Sequence, residues 1–433
     1  MSSQTETMTE KTEEKQMKKS GNEINPKKKI MLQMRWIGIA LLIGIFVGAA
    51  SSLFSKALTY VTQFRGTHGW ILFLMPLAGV CIVFLYRKYA QKDGGTNQVL
   101  AMIRSQDDVA FRSAPLIFIT TVLTHLVGGS AGREGAALQL GGSIGNKIGK
   151  VLRMDSKDCH VAAMCGMSAA FAAMFGTPLA AAFFSMEVAS VGIMYYAALM
   201  PCAISALIAA GLAGALEIHA EAFQILEIPA FTLAGGLKIG LVTLACAAVS
   251  VAFCLVMKGT GTLYRRFLKN EYTRIIAASV IFIIVTLFLQ TDAYMGAGTG
   301  LIVRAVEEGK AGYLDFVWKL LLTAITMKAG FRGGEIVPSF CIGATFGCVM
   351  GQLLGISPSF CAAIGMTAFF CGVTNCPITS ILIAFEMFGF QGQGFYLIAV
   401  AVSYAFSGYY SLYKEQRIMY SKYKAKYRNQ STE

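Results

Sequence analysis

The 433-residue chain is 55% hydrophobic and only 14% charged, against about 25% charged residues in a soluble globular protein, which excludes a soluble enzyme of ordinary composition. Of its 61 charged residues, 13 lie in positions 1–35 and 8 in positions 414–433, leaving 40 for the 378 residues between. The net charge of +13 therefore reads as basic residues flanking apolar spans, a topology signal, and no nucleic-acid partner is expected.

Positions 1–29 are almost wholly polar and end in Pro26-Lys27-Lys28-Lys29. So little apolar surface does not offset the entropy of ordering, and a disordered cytoplasmic tail is expected over 1–34. The polar lead is too long for a signal peptide, so the apolar stretch 36–61 is expected to remain as a transmembrane helix. Further apolar segments fall near 70–86, 115–129, 136–150, 159–190, 193–216, 235–257, 274–290, 316–330, 337–355, 359–373, 377–389 and 395–410. A bilayer core takes about 20 helical residues, and several of these segments are shorter or broken by Gly, Pro or a charge, which predicts half-spanning helices. Non-helical backbone at membrane depth is tolerated only where protein buries it or water lines it. The breaks are therefore site candidates. Basic clusters at Lys27–Arg35, Arg87–Lys92, Lys147–Lys157 and Lys414–Arg428 place both termini in the cytoplasm, with 414–433 a basic tail and no regulatory domain after it.

The eleven cysteines form no CxxC pair, and His68, His125, His160 and His219 are scattered. Cys81, Cys246, Cys341 and Cys361 lie within apolar runs and read as small buried hydrophobes. No metal, cofactor or disulfide framework is implied, and without a nucleophile and base pair the chain is not expected to be an enzyme.

Segments 166–187 and 365–386 both fit Gly-Met-[Ser/Thr]-Ala-x-Phe-x6-Pro-x8-Glu without a gap, and Gly132-x-Glu134-x7-Gly142 matches Gly333-x-Glu335-x7-Gly343. The chain is thus two homologous halves, about 35–216 and 235–413, offset by about 200 residues. Membrane transport folds often consist of such halves, inverted or parallel, with the substrate site at their interface and broken helices aiming their N-termini at it. Glu187 and Glu386, at equivalent helix ends, are expected to be structural.

The turn 128–142, GGSAGREGAALQLGG, puts Arg133 and Glu134 between two apolar helices. Ionisable residues at membrane depth are expensive and functional by default. Glu134 stands at the start of the next helix, where backbone N–H groups and the macrodipole favour an anion. Such a site holds either a carboxylate or a small free anion. A glutamate that occupies it and leaves when protonated couples proton movement to anion movement; alternatively Glu134 caps the helix or pairs with Arg133. Gly132, Arg133 and Gly135 flank it, with Arg133 in a structural role. Segment 330–343, GFRGGEIVPSFCIG, repeats the layout: Glu335, with Ile336 and Val337, is expected to approach the anion path, with Arg332 as an ion-pair partner. Segment 93–99, DGGTNQV, offers the Thr96 hydroxyl and Asn97 amide as donors, and Gly408-Tyr409-Tyr410-Ser411 offers phenols that either hold an anion or anchor at the interface.

GREGAALQLGGSIG resembles the signature of the CLC family of chloride channels and anion/proton antiporters, and GGEIVPSFCIGATFG resembles its second-half Gly-Gly-x-x-x-Pro signature. The resemblance spans about 35–413. It implies an all-α, polytopic membrane homodimer with an inverted repeat and one anion pathway per subunit. It also implies a bacterial plasma-membrane location, Glu134 as the external gating glutamate, a first filter turn at Gly95–Val99, and Tyr410 or Tyr409 as the anion-coordinating tyrosine.

The departures point within the family. Thr96 replaces the usual Ser of the filter turn, and Val188 follows Glu187 where chloride/proton antiporters have an internal proton-transfer Glu. Acidic Glu335 resembles the bacterial fluoride-exporting branch, although Val337 replaces the Thr common there. Fluoride gives up a costlier hydration shell than chloride and accepts strongly from a carboxylic acid. The expected function is therefore fluoride/proton antiport, the alternative a chloride-selective channel or chloride/proton antiporter.

Overall fold

The computed structural model describes residues 26–90, 94–104, 110–218 and 220–433. Residues 1–25, most of the expected tail, lie outside the described residues, as do Gln91, Lys92, Asp93, 105–109 and His219. The chain divides into two compact units, 1–39 and 40–433. In the first, the helix α1 (Pro26–Thr67) begins well before the expected boundary at 35. Pro26 suits the first helical position, where its missing N–H costs nothing, and the lysines after it are good helix formers.

The second unit continues through α2 (Met75–Tyr89), α3 (Thr96–Arg104), α4 (Ser113–Leu126), α5 (Glu134–Val151), α6 (Ser156–Phe175), α7 (Pro178–Glu187) and α8 (Leu199–Ala215). After the connecting loop come α9 (Leu233–Phe267), α10 (Glu271–Leu289), α11 (Thr299–Glu307), α12 (Asp315–Ala329), α13 (Ile336–Leu354), α14 (Pro358–Thr374), α15 (Pro377–Phe388) and α16 (Gln393–Phe406). Seven of the described helical stretches are long and apolar enough to cross a membrane, and α4, α14, α15 and α16 are shorter apolar helices. The expected single segment 159–190 is two helices, because Gly176 takes φ 72° and Pro178 opens α7. The second half is punctuated in the same way: Asn375 ends α14 at φ 55° and Pro377 opens α15. An αL residue closes each helix, and a proline that lacks only an orphan N–H starts the next.

Two reciprocal contacts show that the halves are inverted. Glu187, ending α7, accepts from the backbone N of Ile378 (3.1 Å) and Thr379 (2.9 Å) at the start of α15. Glu386, near the end of α15, accepts from Leu179 N (2.9 Å) and Ala180 N (2.8 Å) at the start of α7. Equivalent helices therefore run antiparallel, each carboxylate satisfying the orphan amides of the other. Gly132 and Gly334 likewise form a reciprocal antiparallel bridge (N···O 2.7 and 2.8 Å).

Glycines set how closely the helices pack. A Cβ on Gly141 would stand 2.2 Å from the Gly166 carbonyl oxygen, and one on Gly343 2.5 Å from that of Gly365; Gly145 and Gly347 meet the Ala162 and Cys361 oxygens at 2.2 and 2.1 Å. Small residues are what lets the backbones come so near. These matched crossings, with the Gly132 to Gly334 bridge, fix an offset of 202 residues through α5 and α13. Glu134 then corresponds to Ile336, and Arg133 to Glu335. The equivalence of Glu134 with Glu335 drawn from the Gly-x-Glu pattern is one position out, because a glycine-rich run matches itself in adjacent registers and only helix contact selects one.

The segment expected as a basic tail is folded onto the body. β1 (Ser190–Val191) pairs in parallel with β2 (Arg417–Tyr420), which pairs antiparallel with β3 (Tyr427–Ser431). Gln416, buried, donates to Val188 O (2.9 Å) and Thr374 O (2.6 Å), satisfying carbonyls at the ends of α7 and α14. Lys422 donates to Asn375 Oδ1 (2.5 Å) and Ser407 Oγ (3.2 Å), its ammonium 4.3 Å from the Tyr404 ring centre. Burial pushes that ammonium down to about 8 from an ordinary value of about 10.4. The docked tail then binds fewer protons than the free tail between those values, so docking strengthens as pH rises across the window and weakens as pH falls toward 8. Polarisation of a fluorophore on the C-terminus is expected to rise from pH 8 to pH 10, and Lys422→Met to flatten the profile.

Candidate functional site

The loops before α5 and α13 meet at the Gly132 to Gly334 bridge, and a Cβ on either glycine would collide: Gly132 with Glu134 Oε2 at 2.7 Å, Gly334 with Gly135 N at 2.4 Å. Glu134, its side chain fully buried, is the first residue of α5. Its carboxylate accepts from Arg133 N (3.0 Å) and Arg133 Nε (3.3 Å). Glu134 thus sits at the helix start and pairs with Arg133, the arrangement the sequence left open beside the gating one. Arg133 reaches further, to Glu221 Oε1 (2.5 Å), Ser55 Oγ (3.3 Å) and Met174 O (3.3 Å).

Two cavities lie against these loops. The first, about 190 Å³, is lined by Thr96, Asn97, Gln139, Lys328, Glu335 and Tyr413 among others. The second, about 420 Å³, is lined by Arg65, His125, Arg133, Glu221, Asp292 and Thr299 among others. Thr96 is the first residue of α3, and its hydroxyl donates to Gly135 O (3.0 Å), joining the first cavity to the backbone beside Glu134. Asn97 Oδ1 accepts from Glu415 N (3.4 Å). Glu335 pairs with Lys328 (3.8 Å); the expected partner Arg332 instead lies 3.6 Å above the Tyr86 ring centre. Ile336 and Val337 are buried in the main apolar core and line neither cavity.

The three tyrosines near the chain end lie in different surroundings. Tyr410 gives its backbone oxygen to Asn375 (2.9 Å) and packs against an apolar cluster, while Tyr409 bonds Ser421 Oγ (3.0 Å) beneath Arg428. Tyr413 is the buried tyrosine that lines the first cavity. A phenol bonded to an anion contributes about 1.5–3 kcal/mol, so if an anion occupies this cavity Tyr413→Phe is expected to weaken its binding by about tenfold or more, and Tyr410→Phe to leave it unchanged, in calorimetric titration of the purified protein with halide salts.

Sequence reasoning also missed Lys319 and Glu221. Lys319, fully buried, donates to Gly296 O (2.7 Å), Tyr294 O (3.0 Å) and Ser130 Oγ (3.0 Å), tying the loop before α11 to the loop before α5. A lysine within the apolar segment 316–330, with Lys328 nearer its end, was the available signal. Glu221 sits in the loop joining the halves, where no motif marks it.

The model described as voltage gated chloride channel matches residues 78–408. The chain is 32% identical over 400 residues to the chloride/fluoride channel protein of Pseudomonas syringae pv. tomato, covering 90% of this chain and 88% of that one. It is 25% identical to the H(+)/Cl(-) exchange transporter ClcA of Cronobacter sakazakii, covering 81% of each. Among solved structures, a CLC-type fluoride/proton antiporter matches with a TM-score of 0.86 at 31% identity, over 92% of this chain and all of that one. A slow cyanobacterial Cl-/H+ antiporter shares the fold with a TM-score of 0.77 at 18% identity, over 86% of this chain and 94% of that one. A multi-pass helical body with an inverted repeat, a buried glutamate at the meeting of its halves and a family match over most of its length lead to one conclusion: the chain is an anion transporter of the voltage-gated chloride channel (CLC) family.

Proposed function

We propose that the protein is a fluoride/proton antiporter that exports fluoride across the bacterial plasma membrane, a homodimer with one pathway per subunit and both termini in the cytoplasm. The first cavity, beside the basic C-terminal segment, is then the cytoplasmic mouth, and the second the external one. The observation that carries the reading is Glu335, a carboxylate lining the same small cavity as Thr96, Asn97 and Tyr413. Released from Lys328 and protonated, Glu335 would donate beside the Asn97 amide and the Tyr413 phenol, which suits an anion that accepts strongly. The internal proton path of chloride exchangers has no counterpart at Val188, which is buried and apolar, and Glu187 beside it is committed to α15.

Glu134 works as the gate. Ionised, it holds the N-terminus of α5 and the Arg133 guanidinium, filling the place an anion would take. Protonated, it loses the charge that holds it there and leaves those donors to fluoride. Gly132 and Gly135 allow the close backbone approach, Arg133 anchors the carboxylate, and Ile336 and Val337 seat the opposing helix start. The test is the full-length protein in liposomes with fluoride, chloride and proton fluxes recorded together. A fluoride gradient should drive uphill proton movement that a chloride gradient does not; chloride flux without proton movement would replace this reading with the chloride-selective one.

A further inference from the structure

We propose that Glu221 is a positioning residue for the gate, holding Arg133 from the second cavity and so setting how readily Glu134 is released; this rests on the reading of Glu134 as gate. One guanidinium serves two carboxylates, and the shorter contact, 2.5 Å against 3.3 Å, belongs to Glu221. The other oxygen, Glu221 Oε2, is buried with no hydrogen-bond partner among the described residues. A buried carboxylate oxygen left unpaired is rare, so Arg133 is what holds this side chain. The loop carrying it is pinned to helix ends, Glu221 N to Phe175 O and Phe223 N to Met387 O, both at 2.9 Å.

The consequence is a matter of charge. Removing one partner of a buried ion pair strands the other, which is strongly destabilising. With Glu221 present, Arg133 keeps a carboxylate when Glu134 takes a proton and departs, and no buried cation is stranded. Without it, Glu134 is the only carboxylate Arg133 has, and a nearby like charge is also gone; both changes favour the ionised, seated gate. The other charged or titratable groups facing this cluster are Arg65 on α1, His125 on α4, Asp292 before α11 and Lys319 on α12, with Lys328, Arg332, Glu335 and Tyr413 toward the first cavity. These stay in place when Glu221 is replaced.

The experiment records fluoride-driven proton transport by the full-length protein in liposomes as a function of pH on the second-cavity side, for wild type, Glu221→Gln, Glu221→Asp and Glu134→Gln. Glu221→Gln should move the midpoint to lower pH by about one unit, reach the wild-type maximum at sufficiently low pH, and be largely rescued in Glu221→Asp. An unshifted midpoint, or a uniform loss at every pH, overturns the role of Glu221. If the Gln variant does not assemble, Glu221→Ala carries the same test, with the acid shift expected and no shift there overturning the role. Coupling retained in Glu134→Gln sinks the gate reading itself, whereas coupling lost in that variant beside an unshifted Glu221→Gln sinks only the present proposal.

Discussion

Glu134→Gln is expected to reduce fluoride-driven proton uptake to background while fluoride still crosses. The amide keeps the side chain's volume and its contact with the α5 N-terminus but has no proton to give or take, so exchange becomes uncoupled anion movement. Arg133 keeps its bond to Glu221, so the buried guanidinium is not stranded and the fold should survive. Simultaneous pH and fluoride electrodes on liposomes measure both fluxes, and proton uptake at wild-type stoichiometry would remove Glu134 from the mechanism. No other single change should have so large an effect on coupling with so little on assembly.

The largest effect on assembly is expected from Gly347→Val. Its Cβ would stand 2.1 Å from the Cys361 carbonyl oxygen and 3.0 Å from Gly365 Cα, and neither backbone atom has a rotamer through which to yield. α13 and α14 would have to part. Overpacking of this kind costs about 1–3 kcal/mol even in cores that can adjust, and the start of α13 carries the site loop with it. Gel filtration and thermal melting in detergent should show loss of the monodisperse species. Gly259→Ala, in α9 with no atom within 4 Å of the added carbon, is the control and should behave as wild type.

Most of the scaffold was legible because its determinants are local. The apolar segments, the prolines opening α7 and α15, and the glycines of the crossings are all visible as residue types at fixed spacing. The place of Glu134 at a helix start beside Arg133 was legible too, from an acid on a glycine-rich turn between apolar segments. What escaped depends on contacts distant in sequence. Whether Lys328 or Arg332 meets Glu335 depends on the rotation of α12 against the loop after it, and a stacking ring, Tyr86, arrives from α2 to claim Arg332. Tyr413 and Tyr410 are indistinguishable as residue types, and only the path of the chain leaving α16 decides which lines the cavity. The basic C-terminal segment looked unstructured because its pairing strand, Ser190–Val191, lies more than two hundred residues earlier. Glu221 carries no local signature at all, being set in place by the partners its loop meets.

The one-position register between the halves has a wider consequence. A scaffold related to itself by inversion looks the same from either side of the bilayer, and on backbone alone its passage would have no preferred sense. Arg133 and Glu335 occupy matched positions in that scaffold, and they line opposite cavities. Their partners are reversed as well, Glu221 for the cation and Lys328 for the acid. The matched backbone position thus carries opposite charge in the two cavities, each charge answered by a local partner. A single change of sign at one repeated position makes two equivalent ends of a direction-blind frame chemically unequal.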